Sequence, residues 1–549
     1  MVHDIRALLE FSGHSENEVI SESEAVAALI LSAINDENPS VSLDQVYSAL
    51  CQSRSESHLD PLGTLPYLLL CPQPAAKSLI ALVGECGSPK EVVIAVQEIL
   101  ERVGIALDGD EEDDPKPTNE SPSDQLISLI LLYNAAIPRL KLRKKPPSET
   151  IRPLLSQLES TINLAGSRLN RDQGREIIRT VSQLSLNSLS WATKLDSADA
   201  GACREILWSL LDTAISACSH CIQSSLAQRS FEALFPRLTI RSTVPPGWEN
   251  GETAVNEALA VYSAFGRTFA LDSLPPLPST TYLILLSHSK FLPSDIGRLM
   301  SFMLPILIAS IQANSALDET LSLLLQTLHP SHFPASQQLP PDISGPLCAL
   351  LPSLASAHPD ADLRHQAFRI LSRVLALTPP DLRLQILKDL TTDADFPQMR
   401  VAAVGLVKEA SLQFLAEGTP SIFASPIFLQ VLGPVLLRPD PPDLFHPDLS
   451  LADIEDSSEP ARLVECLSLY YILLLRDTAN RTGIRDRDQI SNVEKTLLAP
   501  LRSTLARWMD DGTVSSGQHM HAIMPLVSLK TSLERVDAAV ADLGSTASG

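Results

Sequence analysis

Between positions 346 and 415 the sequence repeats one pattern, in which a short connector containing Pro or Asp precedes a block of apolar residues at helical spacing. The clearest block follows Asp360. Its apolar residues recur every three or four positions, which places them on one face of a helix. Two further connectors, at 378–380 and 395–397, restart the pattern. Because Pro and Asp favour the start of a helix, each connector separates two helices. The segment therefore predicts short helices packed in pairs.

The composition extends this interpretation to the whole chain. Of the 549 residues, 44% are hydrophobic but only 5% are aromatic, and the apolar residues are mainly Leu, Ala, Ile and Val. Such a composition favours helices over strands. The prolines cluster at the edges of apolar blocks, where helices begin or end. We predict an all-α, HEAT/armadillo-like α-solenoid of irregular helical repeats, without a strict period.

Changes in this pattern predict six segments. An acidic, Pro-containing run at 107–124 cannot bury a core and is predicted to be a mobile loop. A Ser-Pro-Lys-Glu sequence that begins at Ser88 predicts a capping box at the start of a helix. Further along, the apolar spacing predicts a single long helix at 202–232. The six segments are N-terminal helical repeats at 1–106, the acidic loop at 107–124, middle helical repeats at 125–328, HEAT-like repeats at 329–415, a Pro-rich loop at 416–460, and C-terminal helical repeats at 461–549, the candidate partner-binding region.

Charge and apolar block lengths argue against two classes of partner. The net charge is −23, and an acidic surface repels phosphate backbones, so no nucleic-acid binding is expected. The longest apolar blocks, at 302–311 and 469–475, are shorter than the roughly 20 residues of a membrane helix, so no membrane association is expected. The acidic surface suits basic protein partners.

Location is predicted from the cysteines and from the chain start. Eight cysteines in a chain of this length predict reduced, buried thiols of an intracellular protein. The first six residues lack a secretory signal. We therefore predict a cytoplasmic protein. A basic run at 141–145 has two interpretations, a nuclear-import signal or a solvated helix end, and under the first the protein is also expected in the nucleus.

The chain carries no recognisable catalytic motif: there is no Walker loop, no GxSxG and no HExxH. Cys218 and Cys221 form a CxxC pair without further ligands nearby. Three interpretations are open for it, namely structural zinc, a redox pair and buried helix cysteines, and the last is favoured. His519 and His521 point to different sides of a helix, and the carboxylates are predicted to lie on solvated faces. We predict no enzyme activity, no metal and no cofactor.

The stretch at 469–486 is the most distinctive in the chain. An apolar helix ends in a polar turn, and a second apolar helix leaves towards Trp508. At least one of Tyr470 and Tyr471 is predicted to be a core aromatic with its hydroxyl at the rim. Two roles are open for the turn: it fixes the angle between two helices, with Gly483 at positive φ, or it contacts a partner. The candidate partner-binding residues are Tyr471, Arg476, Asp477, Asn480, Thr482 and Arg485.

A family resemblance rests on the same stretch. Tyr-Tyr-Ile-Leu-Leu-Leu-Arg-Asp-x-x-Asn-x-Thr-Gly-Ile, from Tyr470, followed by Val-Glu-Lys-Thr-Leu-Leu-Ala-Pro-Leu at 493–501, resembles the C-terminal part of the glomulin family. Blocks at 384–390 and 396–408 are similar to fungal YAP-binding and kinetochore-associated members. The plant lateral-root-formation protein belongs to this family too, and residues 88–93 are similar to the family's N-terminal region.

The resemblance implies a HEAT-like repeat protein without catalysis. In glomulin the C-terminal repeats grip the RING subunit of cullin-RING ubiquitin ligases and mask the surface that recruits the ubiquitin-conjugating enzyme. The implied partner is therefore a RING subunit of a cullin-RING ligase. The fungal relatives imply an alternative, a scaffold for an oxidative-stress transcription factor or a kinetochore component. A generic transport or assembly solenoid is a further alternative.

Overall fold

The computed structural model describes residues 22–36, 39–53, 59–109, 120–238, 244–289, 291–334, 337–418, 420–446, 457–510 and 520–546. Within these ranges the chain forms helices and no strand, so the predicted all-α class is confirmed. Residues 110–119 of the acidic run, His519 and the side chain of His521 lie outside the described residues. So do 447–456 of the predicted Pro-rich loop.

The helices follow one another with short connections. They are α1 Glu22–Asn35, α2 Leu43–Ser53, α3 Pro61–Leu68, α4 Pro74–Cys86, α5 Pro89–Asp108, α6 Pro122–Ala136, α7 Pro147–Ala165, α8 Arg171–Leu195, α9 Ala200–Ala217, α10 Ser219–Ile222, α11 Leu226–Leu234, α12 Trp248–Ala264, α13 Thr280–His288, α14 Ile296–Ala313, α15 Leu317–Thr327, α16 Pro341–Ala357, α17 Ala361–Leu377, α18 Pro380–Thr392, α19 Pro397–Glu417, α20 Pro426–Leu436, α21 Glu459–Arg476, α22 Arg487–Val493, α23 Ala499–Asp510 and α24 Met520–Thr546. A π-helical turn, Glu494–Leu498, joins α22 to α23.

The chain divides into two compact units. Unit 1 is Met1–Asp295 with Pro305–Leu323, and unit 2 is Ile296–Leu304 with Leu324–Gly549. In unit 1, from α1 to α9, each helix packs against the next but one. The odd-numbered helices therefore form one layer and the even-numbered helices α2, α4, α6 and α8, here called the even layer, form a second. This is the packing of a helical repeat solenoid.

Unit 2 contains the segment in which the repeat pattern is clearest. Helix α16 packs against α17, and α18 packs against α19. Asp360 caps α17 as expected, because its carboxylate accepts the backbone N–H of Asp362 at 2.8 Å. The predicted apolar face of α17 is buried, including Ala367, Ile370 and Val374. Further along, α19 packs on α21, and α21 packs on α24.

Two local predictions in unit 1 are wrong. The helix expected at 202–232 is broken into α9, α10 and α11, with Gln223 and Ser225 at φ +41° and +51°. Ser88 precedes α5 but makes no capping hydrogen bond with its side chain. A capping box forms instead at the start of α8, between Asn170 and Gln173.

Contacts from distant helices explain the break. Arg175 of α8 is buried, and its guanidinium donates to the carbonyl oxygens of Cys221, Ile222 and Gln223, which end α10. Asp318 of α15 accepts the backbone N–H groups of Leu226 and Ala227, both at 2.7 Å, at the start of α11. Side chains from other helices thus bind the carbonyl groups at the end of α10 and the N–H groups at the start of α11. The helix can therefore break here without unpaired backbone polar groups.

Helix α14 is longer than the apolar block at 302–311 suggested. Among the described residues it is the helix that is long and apolar enough, by length and composition, to cross a membrane. Leu299, Met300, Met303 and Leu307 of α14 have no exposed surface. A core helix meets the same two criteria, so length and composition do not assign α14 to a membrane.

Candidate protein-binding site

Helix α21 has one buried face and one accessible face. Leu463, Leu467, Tyr470 and Leu474 lie in the core of unit 2. Tyr470 has no exposed surface, and its hydroxyl is buried without a hydrogen-bond partner, so the expectation of a hydroxyl at the rim is wrong. Burial, with a smaller contribution from the charge of Glu494, raises the pKa of Tyr470 to about 12.

The accessible face follows the helical spacing 464, 468, 471 and 475. Val464, Ser468 and Tyr471 are half-buried, and Leu475 is 47% exposed. Arg476 is exposed at the C-terminal end of the same helix. Two apolar side chains and a cation thus lie together where α21 meets the turn, an arrangement that suits contact with a protein surface.

Asp477 and Thr482 lie inside the turn. Asp477 is only 2% exposed and accepts three hydrogen bonds: from the backbone N–H of Arg481 at 2.8 Å, and from the N–H and the hydroxyl of Thr482 at 2.8 and 2.7 Å. Thr482 is also buried. These two side chains therefore hold the turn together from within.

Asn480 and Arg485 also make contacts inside the turn. Asn480 adopts φ +50°; its side-chain oxygen accepts the N–H of Arg485 at 2.9 Å, and its amide donates to Asp486 at 2.7 Å. The guanidinium of Arg485 donates to the carbonyl oxygen of Leu474 at 2.9 Å and so caps the end of α21. Gly483 has φ +79°, as predicted.

The structure therefore separates the six predicted residues into two groups. Tyr471 and Arg476 present accessible surface. The other four, Asp477, Asn480, Thr482 and Arg485, satisfy polar groups of the turn, and a partner contact through them stays a prediction. We call Val464, Tyr471, Leu475 and Arg476 the α21 face.

A buried ion pair, which the sequence analysis missed, positions the other end of α21. Arg462 is 1% exposed, and its Nε donates to Glu459 at 2.7 Å. Its terminal nitrogens donate to the carbonyl oxygens of Val435, within the last turn of α20, and of Arg438, just beyond the end of that helix. Burial is the largest single influence and would lower the pKa of Arg462, but the hydrogen bonds to Glu459 and the neighbouring negative charges together raise it. In the sequence, the (i, i+3) spacing of Glu459 and Arg462 indicates an ion pair along a helix, but such pairs more often lie on the protein surface.

The prediction that carboxylates lie on solvated faces is wrong for Glu459, and it is also wrong for a cluster in unit 1 that consists of Asp318, Glu319 and His288. Glu319 is 3% exposed, and its carboxylate lies 3.7 Å from Nε2 of the equally buried His288 side chain. Burial and the neighbouring charge of Glu319 raise the pKa of Asp318 to about 6, although backbone hydrogen bonds from Ala227 and Leu226 oppose the change. Through Asp318 this cluster closes the break between α10 and α11.

The cysteines divide into six buried and two exposed side chains. Cys51 and Cys86 are exposed, so the expectation of buried thiols is wrong for these two. Cys218 and Cys221 are buried, and burial raises the pKa of both, that of Cys221 to about 11. A raised pKa disfavours the reactive thiolate. In the part of the chain that the structure describes, no group of three or more His, Cys, Asp or Glu side chains could hold a metal ion.

Comparison with known proteins gives a family match over part of the chain. Residues 288–533, just under half of the chain, match the model of a family described as an uncharacterised protein family, YAP/Alf4/glomulin. The chain is glomulin-like. A curated relative, Aberrant root formation protein 4 of Arabidopsis thaliana, is 27% identical over 158 residues, which is 27% of this chain and 24% of the relative. The resemblance expected from the sequence is confirmed, and the glomulin-like match contains the whole α21 face and its turn.

Proposed function

We propose that this glomulin-like protein binds a RING subunit of a cullin-RING ubiquitin ligase through the α21 face and thereby blocks recruitment of the conjugating enzyme. The partial match to this family and the all-helical fold support the coarser statement, a non-catalytic helical protein that binds other proteins. The proposal of RING binding rests on the α21 face. This face lies within the matched region and next to a turn whose polar groups form hydrogen bonds with one another.

The mechanism in this proposal is steric. Tyr471 and Leu475 supply apolar contact area, and Arg476 supplies a cation at its edge. The hydrogen bonds of Asp477 and the cap provided by Arg485 hold the turn in one conformation, so little conformational entropy is lost on binding. A bound RING subunit then has its conjugating-enzyme surface covered. The protein itself performs no chemical step.

The test uses the full-length chain and a purified RING subunit. We expect a stable complex and slower ubiquitin-chain formation on a cullin. Leu475→Asp and Arg476→Glu should each weaken binding at least tenfold. Leu277→Asp is the matched control, because Leu277 is 79% exposed in unit 1 and lies outside the α21 face. The proposal is lost if the unmodified chain neither binds the RING subunit nor slows chain growth, or if all three variants bind equally.

The alternative partners remain a transcription factor of the oxidative-stress response or a kinetochore component. Among the described residues, the buried Cys218 and Cys221 offer no accessible thiolate in favour of a redox role. Loss of a peroxide response in Cys218→Ser and Cys221→Ser variants would favour this alternative. We also propose a cytoplasmic location, with a nuclear fraction in addition if the basic run at 141–145 acts as an import signal. Fluorescence microscopy of the tagged chain tests both.

A further inference from the structure

A groove in unit 1 lies outside both the family match and the α21 face. It has a volume of about 600 Å³ and lies on the even layer, where α4, α6 and α8 come together. Ile127 and Leu131 of α6 line it, with Ile80 and Ala81 of α4 beside them. Leu131 is 43% exposed although it lies among apolar neighbours. The groove thus offers apolar surface to a binding partner.

Carboxylates border the groove on both sides. Glu85 lies on the α4 side, and Asp172 and Glu176 lie on the α8 side. Asp172 has 82% of its side chain exposed. The lining includes one lysine, Lys77, whose charge is already paired because its Nζ lies 2.7 Å from a carboxylate oxygen of Glu120. On the α8 side Asp172 lies 4.0 Å from the guanidinium of Arg175, and Glu176 lies 3.2 Å from that of Arg179, so the charge there is partly compensated. The groove is apolar along its middle, and the charged side chains that line its two sides are mostly carboxylates.

The helix dipole accounts for only part of this charge. Asp172 lies in the first turn of α8, where the dipole favours an acidic side chain. Glu85 is the penultimate residue of α4, where the dipole favours a cation instead. Arg139 already donates to the carbonyl oxygens of Gly84 and Gly87 at this end of α4, whereas the side chain of Glu85 is exposed. Glu85 is therefore accessible to a cation of a partner.

We infer that this groove binds an amphipathic basic helix of another protein. The apolar stripe of that helix would lie on Ile127 and Leu131, and its Lys or Arg side chains on either side would meet Glu85 and Asp172. Helices commonly bind in grooves in this way. The groove-lining part of α6 runs from position 124 to 135, which corresponds to a partner segment of about 18 Å, or roughly three helical turns. Binding of this kind weakens as salt screens the charges.

The experiment measures fluorescence polarisation of a labelled synthetic helix that carries a Leu stripe flanked by Lys, titrated with the full-length protein. A second peptide has Glu in place of every Lys. We expect saturable binding of the Lys peptide alone. Leu131→Asp and Glu85→Lys should each weaken it at least tenfold. Ile105→Asp, a control at a 69% exposed position on α5 outside the groove, should leave it unchanged.

Several outcomes would overturn the inference. These are no saturable binding of the Lys peptide, equal binding of both peptides, and equal binding by the Glu85→Lys and Ile105→Asp variants. Glu85→Lys changes an exposed side chain, so it remains informative if Leu131→Asp fails to fold. Light scattering that shows a dimer dissolved by Glu85→Lys would place a second copy of the chain in the groove instead. RING binding through the α21 face uses other residues, so the two proposals fail independently.

Discussion

Replacement of Asp477 by Ala tests whether the turn after α21 is held together from within. Asp477 is 2% exposed and accepts two backbone N–H groups and one hydroxyl. Ala would leave both amides without their acceptor. At about 1–3 kcal/mol for each orphaned buried donor, the turn should lose roughly 2–6 kcal/mol of local stability. Asn keeps the shape and one acceptor oxygen, so it should lose roughly half as much.

The suitable assay is amide hydrogen exchange, read by mass spectrometry on a peptide that spans the turn. A chain with two compact units need not unfold in one step, so a local measurement is more direct than a global one. At roughly 1.4 kcal/mol per factor of ten, exchange at Arg481 and Thr482 should accelerate by about 30-fold to about 10⁴-fold in Asp477→Ala. Arg476→Ala is the matched control, because Arg476 is exposed. Equal exchange in the two variants would refute the reasoning.

Three further predictions concern buried polar groups. Arg462→Ala leaves Glu459 buried without its cation, so chemical denaturation should show a loss of roughly 3–5 kcal/mol; a loss below about 1 kcal/mol would contradict this. Tyr470→Phe removes a buried hydroxyl that has no partner, so the thermal midpoint should stay the same or rise, and a clear fall would show that the hydroxyl is bonded. Burial raises the pKa of Asp318 from 3.8 to about 6, so the folded state binds this proton more tightly than the unfolded state. Stability from this group is thus present below about pH 4 and lost as the pH rises to about 6, and Asp318→Asn should flatten the pH dependence of the thermal midpoint in that window; identical pH profiles would contradict the assignment.

The helices themselves could largely be predicted from the sequence. Asp360 and the apolar spacing behind it predicted α17 and its buried face, and both are observed. The family resemblance from Tyr470 onwards was also visible, because it depends on local residue order. The turn was recognised with its positive-φ Gly483, yet its two possible roles could not be separated. Asp477 is buried only because the chain folds back over it within five residues.

Of three wrong or missed predictions, two depend on contacts with residues that are distant in sequence. The chain between 202 and 232 looks like one helix, and its break depends on Arg175 and Asp318, which are distant in sequence. Ser88 had the residues of a capping box but makes no capping bond with its side chain. The (i, i+3) pair of Glu459 and Arg462 is common on helix surfaces, and nothing local indicated that it would be buried against the end of α20.

Residue order alone therefore determines where this chain is helical, which face of most helices is apolar and which family it resembles, since these properties depend on neighbours within a few turns. Packing decides which charged side chains are buried, where a helix breaks and which part of the α21 face remains accessible. It also brings α4, α6 and α8 together into a groove bordered by carboxylates. These features depend on groups up to about 90 residues apart, such as Asp318 and Leu226, and a local pattern carries no information about such contacts.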